Sequence, residues 1–204
     1  MSGPFKGVRV LELTSTVSGP FAGMMLADQG AEVIKIEPPG IGDLARFMGT
    51  IKDGMGAMFS TLNRNKKCIC LDFKNEEDLS ILMELVSTAD VLIENYRPGI
   101  VKKLGIDYET LKKIKPDLIY CSISGYGQTG PYKEKKVYDP LIQGTVGIPH
   151  AQNSEFPELI RTIIYDKVTG LTSAQAISAA LYQKANGEGG QYLPVSMMES
   201  ALYY

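Results

Sequence analysis

Asp166 lies in the stretch IIYDKVTG, at the start of the longest helical pattern in the chain. Two chemistries fit a carboxylate there. It can cap the helix, accepting backbone N–H bonds and offsetting the positive helix end. Alternatively, the same N–H groups can hold it ionised for use as a nucleophile. Spacing does not choose between them. Asn95 and Arg97, in DVLIENYRPG, follow an apolar run read as a strand, and polar side chains at the carboxyl ends of parallel strands meet ligand. Arg97 with Lys74, Lys102, Lys103, Lys133, Lys135 and Lys136 could bind a polyanion such as a nucleotide 3′-phosphate or a pyrophosphate; a solvated surface is the plainer reading. Gly125-Tyr126-Gly127-Gln128-Thr129-Gly130 matches GxGxxG, but Pro131-Tyr132 and a lysine-rich loop follow it where a dinucleotide fingerprint requires a helix. A glycine-rich exit that turns the chain is the simpler account.

The elements that must position these residues begin with 8–40. Val8, Val10, Leu11 and Leu13 form a nearly continuous apolar run, as in a strand covered on both faces. Gly19-Pro20 opens a helix in which Phe21, Met24, Met25 and Gln29 recur at helical spacing. Gly30 ends it, and 31–36 supplies a second buried strand. Such a βαβ unit implies a parallel sheet with a right-handed crossover, and places ligands beyond the strand ends at 14–18 and 37–43. The chain continues with a short helix from Asp43, an irregular segment or helical turn at 58–65, a strand at 67–72 and an Asn75-capped helix at 76–89 whose buried face is Leu79, Leu82, Met83, Leu85 and Val86. Strands at 90–96 and 118–124 flank short helices at 100–104 and 108–114. Segment 138–146 is ambiguous, and 150–157 reads as polar and mobile. A long helix at 166–184 carries Leu171, Ala174, Ile177, Ser178 and Leu181 on one side, before a last strand at 191–196. The class is α/β: a Rossmann-like, doubly wound, mostly parallel sheet with helices on both faces.

Composition excludes several classes. A net charge of −2 leaves no basic footprint for nucleic acid. No apolar run approaches the ~20 residues that span a bilayer, and MSGPFKGV is no secretory signal. Cys68, Cys70 and Cys121 form no CxxC, and His150 is the only histidine, so a zinc site is not expected. Cys68 and Cys70 alternate within one strand and read as buried, reduced thiols of a cytoplasmic protein. The chain closes on Tyr203-Tyr204, two aromatics with nothing after them to pack against, as if residues 1–204 were one domain of a longer polypeptide.

Taken together, VRVLELTSTVSGPFAGMMLADQGAEVIKIEPPGIGD, LNRNKK, DVLIENYRPG, GYGQTGPY, YDPLIQG, DKVTG and GQYLPVSMMES resemble the class III coenzyme A-transferases, a family that includes the related α-methylacyl-CoA racemases. The resemblance is collinear over essentially the whole chain. It implies the CoA-binding, Rossmann-like N-terminal half of a protein about twice this length, without the smaller C-terminal domain, and an interlocked homodimer as the family's assembly. It implies acyl-CoA and a carboxylic acid acceptor as substrates, with no tightly bound cofactor. Asp166 matches the family's nucleophile. CoA would run along the strand ends, past Thr16, Val17 and Ser18; Leu71, Asp72, Phe73 and Lys74; Asn95, Tyr96 and Arg97; Lys103 and Leu104; and Lys136, Val137, Tyr138 and Asp139.

Three positions depart from the family's pattern. Val17 replaces a glutamine that assists chemistry in the formyl-CoA transferases, and Pro38 stands where those enzymes carry an arginine. Tyr138 occupies the place of the racemases' histidine, which removes one of two acid–base partners for proton transfer at the α-carbon. The resemblance therefore implies a transferase ahead of a racemase, with a non-catalytic CoA-binding module as the reading from another class.

Overall fold

The computed structural model describes residues 3–203. The opening apolar runs form β1 (Arg9–Leu13) and β2 (Glu32–Glu37), parallel and in register from Arg9 opposite Glu32, with α1 (Ser18–Asp28) as the crossover. After a 3₁₀ turn at Leu44–Phe47 come a small antiparallel hairpin of β3 (Ile51–Lys52) and β4 (Met55–Gly56), then α2 (Ala57–Leu62) and β5 (Lys66–Cys70). The second half supplies α3 (Glu76–Ser87), β6 (Val91–Glu94), α4 (Ile100–Lys103), α5 (Tyr108–Leu111) and β7 (Ile119–Ser124). It ends with α6 (Asp139–Thr145), α7 (Ile148–Gln152), α8 (Ile164–Ala185), β8 (Tyr192–Ser196) and α9 (Met197–Tyr203).

Six strands form one all-parallel sheet in the order β5-β2-β1-β6-β7-β8. The chain winds outward from β1 to β5, returns to β6, and winds outward again to β8. The strand order thus reverses between β1 and β6, and the loops leaving those two strands diverge to open a crevice. Alternate residues of each central strand enter opposite cores. Val10, Val91, Ile93, Ile119 and Cys121 pack with Leu26 of α1 and Ile177 of α8 on one face. Leu11, Leu92 and Tyr120 pack with Leu82 and Val86 of α3 and with Leu111 of α5 on the other. Asn75 caps α3 as expected, accepting the Glu77 N–H at 2.8 Å.

Several expectations change. Phe21, Met25 and Gln29 are only partly buried; the residues α1 buries are Ser18, Gly19, Pro20, Ala22, Gly23, Met24, Leu26 and Ala27. The reason is that α1 packs on the sheet and also against α8, which lies on the same face, so two of its sides are covered and a single apolar stripe does not describe it. Close approach needs small residues. A Cβ on Gly170 of α8 would come within 2.8 Å of both the Phe21 ring and the Ser18 carbonyl. For the same reason Leu171 is exposed, while Thr169, Gly170, Ser173 and Ala174 are buried. Cys68 and Cys70 are exposed, not buried, because β5 is an edge strand and lacks the cover of an interior one. The ambiguous segment is helical as α6, and α7 occupies the start of the stretch read as mobile. The β3–β4 hairpin had no signal in the sequence reading. The packing of Tyr203-Tyr204 as a pair lies outside the described residues at Tyr204, whereas Tyr203 is exposed.

Candidate active site

At the reversal of strand order, the turn 14–17 leaves β1 in an unusual conformation: Thr16 has φ +72°, which is costly for a β-branched residue. Side chains from three other segments hold it there. Asn95, just past β6, accepts the Ser15 N–H at 3.0 Å and donates to the Ser15 carbonyl at 2.9 Å. Asp43 accepts the Thr16 N–H at 2.8 Å. Lys35 donates to the Thr14 carbonyl at 2.8 Å. The turn delivers Val17 and Ser18 to the start of α1.

A cleft of about 260 Å³ opens above this turn. Its floor is the turn itself with Ile123, Ser124 and Gly125 at the end of β7. One wall is Asn95, Tyr96, Arg97 and Pro98 after β6; the other is Lys133, Lys135, Lys136, Val137 and Tyr138 from the loop before α6. Leu44, Met197 and Asp166 complete the lining. Tyr138 is 66% exposed, and the three lysines and Arg97 are exposed, which places four cations on the rim of one partly apolar cleft.

Asp166 is not the helix cap. α8 begins at Ile164, so Asp166 lies within its first turn, and the capping carboxylate comes from elsewhere. Asp139, buried at the start of α6, accepts the N–H of Tyr165 at 2.5 Å and of Asp166 at 3.0 Å, while Gln143 donates to its other oxygen at 2.5 Å. The Asp166 side chain is thereby left to face the cleft. Burial, then the neighbouring Asp139 carboxylate, push its pKa up to about 6, whereas Ser18, offering both its hydroxyl and its backbone N–H, pulls it down. Above that pH the group is an ionised, partly desolvated carboxylate beside two hydrogen-bond donors at the positive end of α1.

Of the sequence-derived site residues, Thr16, Val17, Ser18, Asn95, Tyr96, Arg97, Lys136, Val137, Tyr138 and Asp166 come together in the cleft. Asp139 lies behind Asp166 and away from the lining. Leu71 is buried in the α3-side core, with Phe73 and Leu104 packed against it, and Asp72 bonds the loop into α3. Lys74 and Lys103 are exposed. These residues lie beyond the cleft, on the same carboxyl-end edge of the sheet. Ser15, Leu44, Pro98, Ile123, Ser124, Gly125 and Met197 line it as well, together with Lys133 and Lys135. Lys133 and Lys135 were legible only as members of a charge cluster. Leu44 and Met197 carry no local signal, because their place depends on how distant segments pack.

Glu94, the last residue of β6, is buried with Ser122 and the Tyr96 N–H as partners, and burial pushes its pKa up to about 7. Gln128 donates to the same Ser122 hydroxyl at 2.9 Å. The glycine-rich loop is thus tied back to the sheet by Gln128, and no helix follows its glycines, so the dinucleotide fingerprint is absent.

The molecule is a parallel, doubly wound α/β domain with a basic cleft at its strand-order reversal and a carboxylate in that cleft. The chain belongs to coenzyme A-transferase family III, whose model matches residues 5–204. It is 42% identical to an acetyl-CoA:oxalate CoA-transferase of Acetobacter aceti over 99% of this chain and 53% of that protein. It is 40% identical to the human succinyl-CoA:glutarate CoA-transferase over 97% of this chain and 46% of that protein. The crystal structure of a CAIB/BAIF family protein from Brucella suis superposes with a TM-score of 0.93 at 40% identity, covering 98% of this chain and 55% of that one. The chain therefore spans about half the length of the relatives it matches. Among the described residues, no helix is long and apolar enough to cross a membrane.

Proposed function

We propose that residues 1–204 are the Rossmann-like, CoA-binding domain of an acyl-CoA:carboxylate CoA-transferase, with Asp166 as its covalent nucleophile. The observation that carries this reading is that Asp166 lines a cleft with four rim cations and stands between two helix starts. An Asp166 oxygen attacks the thioester carbonyl, the C–S bond breaks, and CoA thiolate leaves a mixed anhydride behind. The thiolate returns to the aspartyl carbonyl, expelling the acyl group as its carboxylate and forming an aspartyl-CoA thioester. The acceptor carboxylate attacks that carbonyl and releases thiolate, which then takes the new acyl group and frees Asp166. Covalent storage keeps thioester energy from being lost to water. Each tetrahedral intermediate places negative charge beside the Ser18 N–H and the helix ends, the arrangement that stabilises oxyanions.

Arg97, Lys133, Lys135 and Lys136 would meet the CoA phosphates, and Tyr96 would pack on the adenine. The family's smaller domain and its homodimeric assembly belong to the same proposal. The test is chemical trapping. The protein is incubated with acyl-CoA and hydroxylamine, with the remainder of the family's length supplied, and peptides are analysed by mass spectrometry. A hydroxamate on Asp166, absent from Asp166→Asn, is the expected result. An unmodified Asp166 during turnover would overturn the assignment.

A further inference from the structure

Four fully buried charges lie beneath the turn 14–18, and no step of the reaction uses them. Lys35 meets Glu12 at 3.0 Å and Asp43 at 2.9 Å, and Lys66 meets the other Glu12 oxygen at 2.7 Å, all with side chains 0% exposed. Two cations and two anions cancel, so the cluster adds no net charge to the site above it. What it has is reach. Lys35 holds the Thr14 carbonyl, Asp43 holds the Thr16 and Ala45 N–H groups, and Lys66 holds the Pro20 carbonyl at 2.8 Å and Asn63 at 2.9 Å. Thr14 itself donates to Glu12 at 2.9 Å. Asp43 is fixed in turn, its N–H donated to Glu37 at 2.8 Å, and Glu37 is paired with Arg46. Gly23 belongs to the same device, since a Cβ there would fall 1.9 Å from the Glu12 carboxylate.

Burying four charges is expensive, and a hydrophobic replacement of equal shape would often be as stable. The cluster therefore calls for an explanation other than stability, and its polar contacts to the turn provide one. Thr16 sits at φ +72° without being glycine or asparagine, a conformation that persists where the surroundings over-determine it. Two residues later the chain brings Ser18 into the cleft that Asp166 lines, where it draws that carboxylate's pKa down. We propose that Asp43 and Lys35 are positioning residues of the transferase reaction: they lock the turn 14–18 so that the Ser18 hydroxyl and N–H stay aimed at the Asp166 carboxylate. This rests on Asp166 being the nucleophile, and the test separates the two claims.

The experiment follows the rate of acyl-CoA-dependent hydroxamate formation on Asp166 against pH, in the parent, Asp43→Ala and Asp43→Asn. Ser18 lowers the pKa of Asp166, so losing its alignment moves the acid limb of the profile to higher pH. In Asp43→Ala the limb is expected to rise by about half a pH unit or more, with kcat down about 10²-fold and the KM for acyl-CoA within about threefold of the parent. Asp43→Asn keeps an acceptor for Thr16 but loses the tie to Lys35, so its shift lies between the two. If the alanine variant does not fold, Asp43→Asn against the parent decides. The other charged groups around Asp166 (Asp139 behind it, and Arg97, Lys133, Lys135 and Lys136 on the rim) are untouched in these variants, and the Lys35 charge that both leave uncompensated favours an ionised Asp166, so it lowers the limb and does not produce the expected rise. A loss of rate equal at every pH, with an unmoved limb, means a merely structural cluster and overturns the proposal, as does an unchanged rate. Turnover surviving in Asp166→Asn instead breaks the nucleophile assignment itself.

Discussion

Asp166 is held in the folded protein at a pKa of about 6 against an ordinary 3.8, and that difference predicts an exchange of activity for stability. Near neutral pH the native state carries an ionised carboxylate that burial and Asp139 disfavour. The gap corresponds to about 3 kcal/mol at most; solvent entering the cleft reduces this, so about 1–3 kcal/mol is expected. The direction follows from linkage. The folded state binds this proton more tightly than the unfolded chain, so the contribution is fully present below pH 3.8 and is lost as pH rises through about 6. Asn at this position keeps the shape and cannot ionise. Asp166→Asn is therefore expected to be more stable than the parent by about 1–3 kcal/mol at pH 7.5, or about 3–10 °C in Tm for a chain of this size, and by much less at pH 4.5, while losing acyl transfer. Urea denaturation of both proteins at the two pH values isolates the effect, because every other titrating group is common to them. A variant no more stable than the parent at pH 7.5, or one whose advantage is the same at both pH values, would mean that Asp166 experiences water-like surroundings. The case for a desolvated nucleophile would go with it.

Glu94 should act in the same direction one pH unit higher. Its pKa is raised by burial to about 7 from an ordinary 4.5, so its contribution to parental stability is lost as pH rises from about 4.5 through 7, and Glu94→Gln should flatten that decline in thermal melts between pH 4.5 and 7.5. Asp139→Ala strips the two first-turn N–H groups of α8 of their acceptor and is expected to cost about 1–3 kcal/mol in urea denaturation. Asp139→Asn, which keeps an acceptor without the charge, should instead lower the acid limb of Asp166 acylation. Gly170→Val drives a side chain into Phe21 and the Ser18 carbonyl, with an expected loss of about 1–3 kcal/mol and slowed trapping at Asp166, which a melt and the hydroxamate assay together would report.

Legible in the sequence were the longer elements, whose patterns depend on neighbours along the chain. The apolar runs around Val10 and Val33 with a helix between them specify a buried parallel pair, because a crossover of that length allows little else. Asn75 before Glu76 announces a helix start, and polar residues placed just after apolar runs, as in Asn95-Tyr96-Arg97, mark strand ends and hence the ligand edge. The tertiary structure decided what depends on segments far apart. Cys68 and Cys70 looked buried because alternation is the same in edge and interior strands; only strand order distinguishes them. Spacing left Asp166 open between cap and nucleophile, because a carboxylate at a helix start can satisfy the nearest N–H groups. Asp139, 27 residues earlier, takes those donors and leaves Asp166 to the cleft. The charges of Glu12, Lys35, Asp43 and Lys66 carry no local pattern either, since attraction across a buried gap depends on separation in space, and folding alone brings Lys35 to Glu12 and Asp43 and Lys66 to Glu12 at 2.7–3.0 Å.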